Sequence, residues 1–292
     1  MTTSTWTIPP KLSYALFVAG DERLGEASRP NLNAVLESLE KGPPPAVELR
    51  SWIVEHGKMG FIPLDSLRAQ LPGAEIMSLG VETNEDKRLE RATNAMLVAA
   101  DETSALDPRA PWGLLVLATT VASATDGVVY DSGTFRFVPP FILANPLDGF
   151  MLGSIKNHVT IVSSIDGAGL QTTTTLGLNK YGIFEIELAG IAPEAGNIGM
   201  LLAGLAQALV DARPQKAGDW DVPQGFDVTH FHVANALARE ADHTSEPRAS
   251  VRLVLEPKGP DDVYWRVAGI DGALDTATVH EMLQTLGIES AG

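Results

Sequence analysis

The sequence predicts an α+β fold in which antiparallel or mixed sheets carry helices on one face. Some stretches alternate apolar and polar side chains, the period of a strand with one buried face, and residues 184–188 show it most clearly. Other stretches place apolar residues three and four positions apart, as Leu32, Val35, Leu36 and Leu39 do, which is typical of a helix with one buried side. The 292 residues suffice for one large domain or two of ordinary size.

The first elements follow from this reading of the N-terminal part. The apolar run 13–19 predicts a buried strand, and Pro30 opens the helix that carries Leu32 to Leu39. Residues 57–63 are rich in glycine, and we expect a loop there. Residues 66–71 predict a short helical turn.

Two strands and a strongly apolar helix follow. Residues 76–81 and 92–99 predict strands separated by a charged segment, and Pro111 starts a helix over 112–124 that is apolar on nearly every side. Residues 128–130 predict another strand. The resulting order of strand, helix, strand, strand, helix, strand is the split βαβ pattern of ferredoxin-like domains.

The C-terminal part repeats this alternation of strands and helices. Strands are predicted over 158–165, 251–255 and 263–267, and a helix over 194–212, whereas 213–225 reads as a loop. The last helix contains Val279, Met282, Leu283 and Leu286, with Asp275 or Thr276 as its cap. Prolines near the middle suggest halves 1–145 and 146–292, either as two ferredoxin-like domains or as one compact unit.

The composition limits the partners of the chain. There are 37 acidic and 21 basic residues, and the net charge of -16 repels nucleic acids but suits a basic protein partner. No apolar stretch approaches the ~20 residues that span a bilayer, so we expect no membrane insertion and a cytoplasmic location. Cysteine is absent, which excludes disulfides and thiolate chemistry.

The most distinctive pattern lies between residues 172 and 188. Four threonines are followed by Gly-Leu-x-x-Tyr-Gly-x-x-Glu-Ile-Glu from Gly177 to Glu187, which predicts strand, tight connection, strand. Phe184, Ile186 and Leu188 would face the core, with Glu185 and Glu187 facing water.

This pattern resembles the signature of a bacterial domain-of-unknown-function family, DUF 4261, although the chain has Phe184 where members tend to have proline. The resemblance extends loosely from residue 92 to 257. It implies a fold without a settled activity, and similar modules occur near bacterial polymorphic-toxin and immunity genes. It marks Asn179, Tyr181, Glu185 and Glu187 as a special surface.

Two constellations could carry chemistry. Glu185 and Glu187 on one strand face would lie about 6.5–7 Å apart, a spacing compatible with an acid/base pair, although alternate glutamates also occur on any wet strand face. His230 and His232 at i, i+2 on a strand would point to one side and could share a metal ion, or be two plain surface histidines.

No serine-hydrolase, P-loop, zincin or dinucleotide motif is present. We therefore predict a non-enzymatic, acidic protein-binding module without a cofactor, such as an immunity or accessory factor for a bacterial effector. The alternative is a metal-dependent hydrolase that uses His230 and His232.

Overall fold

A computed structural model describes residues 4–12, 14–71, 83–100, 103–104, 107–138, 153–214, 216–223, 225–237, 248–257, 263–270 and 274–288. The chain forms two compact units, Lys11–Leu152 (the 11–152 unit) and Gly153–Gly292 joined by Met1–Pro10 (the 153–292 unit). The first ten residues thus belong with the C-terminal unit, unlike in the expected halves 1–145 and 146–292.

Helices and strands are mixed along the chain, which confirms the α+β class. The strands are β1 (Ser4–Ile8), β2 (Lys11–Leu12), β3 (Ala15–Gly20), β4 (Gly57–Ile62), β5 (Asn94–Ala100), β6 (Thr103–Ser104), β7 (Val128–Asp131), β8 (Arg136–Val138), β9 (Thr160–Ile165), β10 (Gln171–Leu176), β11 (Ile186–Ile191), β12 (Gly218–Val222), β13 (Gly225–Thr229), β14 (Arg248–Pro257) and β15 (Val263–Gly269). The helices are α1 (Ser28–Glu40), α2 (Pro44–His56), α3 (Leu64–Arg68), α4 (Thr83–Arg91), α5 (Arg109–Ser123), α6 (Ile198–Ala212), α7 (His230–Ala236) and α8 (Thr276–Thr285).

The 11–152 unit is built on a five-stranded antiparallel sheet in the order β4-β5-β3-β7-β8. Helices α1, α2 and α5 cover one face, where Val18, Val98 and Trp112 share a core. Every residue of α5 from Pro111 to Ala122 is buried, which confirms a helix that must be covered on most sides. On the other face, side chains of α3 and α4 pack against the sheet.

The 153–292 unit contains a mixed six-stranded sheet in the order β13-β14-β15-β11-β10-β9, and only the β11–β15 pair among these is parallel. Helix α6 packs on this sheet and buries Leu201, Leu205 and Leu209, which confirms the predicted apolar stripe. Strand β1 pairs with β12, with Trp6 opposite Trp220, and this pairing ties the first ten residues to the unit. The ferredoxin-like description of both halves stays a prediction.

Several local predictions are wrong. Residues 57–62 form β4 rather than a loop. The two glycines of this segment disfavour a strand, but pairing with β5 stabilises it. Strand β12 likewise lies within the expected loop 213–225. The charged segment before β5, for which no element was predicted, contains α4. The predicted strand 76–81 lies outside the described residues.

None of the helices in the described ranges has the length and apolar character that a membrane span requires.

Candidate functional site

The loop between β10 and β11 is the stretch that the sequence singled out. The two strands are antiparallel neighbours joined by a short 3-10 helix, Leu178–Tyr181, which confirms strand, tight connection, strand. Gly177 and Gly182 flank this helix with φ of 111° and 72°, a left-handed conformation that side chains with a Cβ rarely adopt. The two glycines of the pattern therefore have a backbone role.

The Glu185 carboxylate closes this loop. Its Oε1 accepts from the Gly177 N–H at 2.8 Å, and its Oε2 accepts from the Leu178 N–H at 3.2 Å and the Thr175 hydroxyl at 2.8 Å. Burial raises the pKa of Glu185, an effect that these hydrogen bonds oppose. Both carboxylate oxygens are thus engaged in holding the loop.

Glu187 does not face water. Its side chain is 7% exposed, and its Oε2 accepts from the Thr174 hydroxyl at 3.2 Å. The predicted wet face is therefore wrong, because hydroxyls of the threonine run on β10 supply hydrogen bonds to both glutamates. Ile186 and Leu188 are buried as expected, and Phe184 is partly buried with its ring centroid 3.9 Å from that of Trp6. Glu185 and Glu187 therefore do not form a carboxylate pair that a substrate could reach.

The other two predicted binding residues differ in exposure. Asn179 is exposed, whereas Tyr181 is buried beneath the Arg213 guanidinium, whose Cζ lies 5.4 Å from the ring centroid. Arg213 also donates to the Tyr181 carbonyl at 2.8 Å. The side chain between them, Lys180, is buried and donates to the His158 carbonyl at 2.9 Å. The four residues do not make a continuous surface.

The two histidines are not on one strand. Strand β13 ends at Thr229, and His230 and His232 begin α7, where positions two apart point to different sides of a helix. The His232 ring accepts from the Thr229 N–H at Nδ1 (3.1 Å) as part of a capping box, and burial lowers its pKa. The His230 ring donates from Nδ1 to the Leu286 carbonyl at 3.2 Å.

These contacts give each histidine a structural role. Within the described ranges, no group of three or more His, Cys, Asp or Glu side chains is placed to hold a metal ion. The strand geometry on which the metal hypothesis depended is therefore wrong.

The 11–152 unit contains a groove of about 800 Å³ between the start of α1 and strand β4. Its apolar lining is Leu24, Leu32, Met59, Phe61 and Met96. Leu24 and Met96 belong to the core, so the floor of the groove is the surface of the core itself. A volume of this size is within the range of ligand sites in proteins.

One wall of the groove carries large apolar side chains that remain in solvent. Met59 is 44% exposed and Phe61 is 64% exposed, and both lie on the same side of β4 because they are two residues apart. The Phe61 ring lies against the turn before α1, where a Cβ built on Gly25 would be 2.7 Å from the Phe61 Cζ atom. A neighbouring pair of exposed large side chains is more informative than a single one.

The rim of the groove carries charge. Glu22, Glu26 and Arg29 line it, and neither Glu26 nor Arg29 makes an ion pair within the described part of the chain. The rim therefore has an excess of one carboxylate, in a chain with a net charge of -16.

A second cleft in this unit, of about 150 Å³, is lined by Arg88, Arg91 and Asp126. Asp126 pairs with Arg88 at 3.1 Å and with Arg91 at 3.6 Å. These pairs neutralise much of the positive charge that would attract an anion.

Sequence reasoning missed the groove because it assigned β4 to a loop. The signal was present in residues 59–62, where the large apolar Met59 and Phe61 stand on either side of a glycine. The glycines of this stretch nevertheless led to the prediction of a loop. Comparisons of the chain with protein-family models, curated proteins and solved structures return no match.

Proposed function

We propose that the chain is a non-enzymatic protein-binding module whose binding site is the groove between α1 and β4. The observation that carries this proposal is the pair Met59 and Phe61, exposed beside an apolar floor. Protein interfaces are centred on such apolar anchors and surrounded by a polar rim, and Glu22, Glu26 and Arg29 would form that rim. The partner fitted by the charge of the chain is a basic protein.

The wider setting rests on the resemblance to DUF 4261. Membership of that family would make the protein a bacterial one, and an immunity or accessory factor for an effector is the role that fits an acidic binder of this kind. A cytoplasmic location is part of the same proposal. Genes for a toxin or a secretion system beside the gene for this chain would support this setting.

Peptide selection tests the binding proposal. A displayed library of random peptides is selected against the intact chain, and the affinities of the peptides are measured for wild type, Phe61→Lys and Met59→Lys. We expect each substitution to weaken binding at least about tenfold, because a charge replaces an apolar anchor.

The control for this experiment is Ile165→Lys in β9, a strand at the edge of the other sheet. Ile165 is 63% exposed, close to the exposure of Phe61, so the two substitutions place the same charge in equally exposed positions. Thermal melts establish that all variants are folded. Peptides that bind Phe61→Lys as tightly as wild type would refute the groove as the binding site.

A further inference from the structure

Strand β4 ends the five-stranded sheet in the part of the chain that the structure describes. It pairs with β5 on one side, and no strand among the described residues pairs with its other side. Alternate residues of an edge strand direct their N–H and C=O groups away from the sheet. Hydrogen-bonding groups thus lie beside the apolar groove.

The features by which proteins protect such edges are scarce in β4. The strand has six residues, contains no proline and keeps one continuous register with β5 from Gly57 opposite Ala100 to Ile62 opposite Ala95, without a bulge. Its one charged side chain is Lys58. Strand β8, at the other end of the same sheet, has three residues. The β4 edge is therefore suited to accept a further strand.

The side chains of the groove suit an extended occupant. At about 3.3 Å per residue, the six residues of β4 extend over roughly 20 Å. Side chains at alternate positions of a strand laid along this edge would point to one side, toward Leu24, Leu32, Met59 and Phe61. Main-chain hydrogen bonds would supply affinity, and the groove would select large apolar side chains.

Charge distinguishes between possible occupants. A second copy of the chain would bring another net charge of -16, whereas a basic segment would be attracted by the net charge of the chain and by the rim, where Glu22 and Glu26 outnumber Arg29. We propose that the occupant is an extended segment of another protein, with apolar side chains at alternate positions and Lys or Arg beside them, which adds to the sheet as a strand along β4. This inference rests on the proposed binding function of the groove.

Backbone methylation tests the mode of binding. The probe is the tightest peptide selected on the intact chain, resynthesised with a single N-methyl group at each position in turn. We expect methylation of every second residue to weaken binding at least about tenfold and methylation of the residues between to have little effect, because a strand directs alternate N–H groups to its neighbour.

The possible results distinguish strand addition along β4 from the proposed binding function of the groove. A peptide that depends on Phe61 but shows no alternation on methylation would overturn strand addition and leave the groove as a binding site. A peptide that binds independently of Phe61 would overturn both.

Two further measurements test the chemistry of the occupant. We expect the double variant Glu22→Gln, Glu26→Gln to bind the same peptide a few times more weakly, and selected sequences to contain Lys or Arg. Sedimentation of the chain alone tests self-pairing. A dimer that Phe61→Lys converts to a monomer would identify a second copy as the occupant and overturn the proposal.

Discussion

Glycines have different roles in the loop from Gly177 to Glu187 and in strand β4 at the groove. In the loop, both flanking glycines have left-handed backbones, and the Glu185 carboxylate is bound by its own loop. At β4, Gly60 is flanked by side chains that lie in solvent, and apart from its chain neighbours no described atom lies within 4 Å of the place where its Cβ would be. The pattern from Gly177 to Glu187 stabilises its own loop, whereas β4 presents apolar side chains to solvent.

The largest effect that follows from this comparison is expected at Glu185. Glu185→Ala leaves the N–H groups of Gly177 and Leu178 and the Thr175 hydroxyl without their acceptor. We expect it to lower the free energy of unfolding by about 3 kcal/mol, since each unsatisfied buried donor costs about 1–3 kcal/mol. Urea unfolding measures the change.

The matched control is Glu26→Ala, an exposed glutamate at the groove, which should change stability by less than about 0.5 kcal/mol. Equal losses at the two positions would mean that the loop does not depend on its carboxylate.

A smaller loss is expected at the histidines. His232→Ala removes the hydrogen bond from the Thr229 N–H to the His232 ring, one of the two bonds of the capping box at the start of α7, and we expect a loss of about 1 kcal/mol. The double variant with His230→Ala should keep the fold and the binding of selected peptides. Metal analysis of protein purified without a histidine tag accompanies the melts. A stoichiometric metal lost in the double variant would restore the hydrolase alternative.

The pH dependence tests the burial of Glu185. Its pKa is raised on folding, so the folded state favours the protonated form, and the contribution of Glu185 to stability is fully present below the unfolded pKa of about 4.5. Stability is lost as pH rises through the higher pKa of the folded state. Relative to Glu185→Gln, wild type should therefore lose stability over this interval. Urea unfolding of both proteins from pH 4 to 7 measures the free energy of unfolding of each. Wild type that gains stability relative to Glu185→Gln as pH rises would show that the pKa of Glu185 is lowered on folding instead.

The smallest effect concerns salt. Attraction between the acidic chain and a basic peptide extends over a Debye length of about 8 Å at physiological ionic strength. We expect the association rate of a selected peptide to fall a few-fold as sodium chloride is raised, with little change in dissociation. Stopped-flow measurements across a salt series test this. An association rate that is constant over the series would leave apolar contact as the basis of recognition.

The sequence was sufficient where an element stabilises itself against one large core. Helix α5 and the apolar stripe of α6 were predicted from spacing and residue type alone, and so was a cap of α8 at Asp275 or Thr276, of which Asp275 is the one observed. It was insufficient where a distant partner decides the conformation. Strand β4 forms because β5 lies beside it, and the buried Glu187 has Thr174 of β10 opposite it as a hydrogen-bond donor.

The candidate site follows the same division. The pattern singled out Glu185 and Glu187, but the alternation of a strand could not reveal that loop amides and threonine hydroxyls would bind them. The histidines were placed on a strand that ends one residue earlier, at Thr229. The alternation in residues 59–62 could have indicated β4, but the groove also needs α1, whose lining residue Leu32 is 27 positions from Met59 in the chain, and no local pattern brings the two together.

The most direct test compares the two regions in one binding experiment. Phe61→Lys alters the groove, and Asn179→Ala alters the exposed residue of the loop, and both are measured for affinity toward the same selected peptide and for melting temperature. We expect Phe61→Lys to weaken binding at least about tenfold with little change in melting temperature, and Asn179→Ala to bind as wild type does. Loss of binding in Asn179→Ala together with unchanged binding in Phe61→Lys would contradict it.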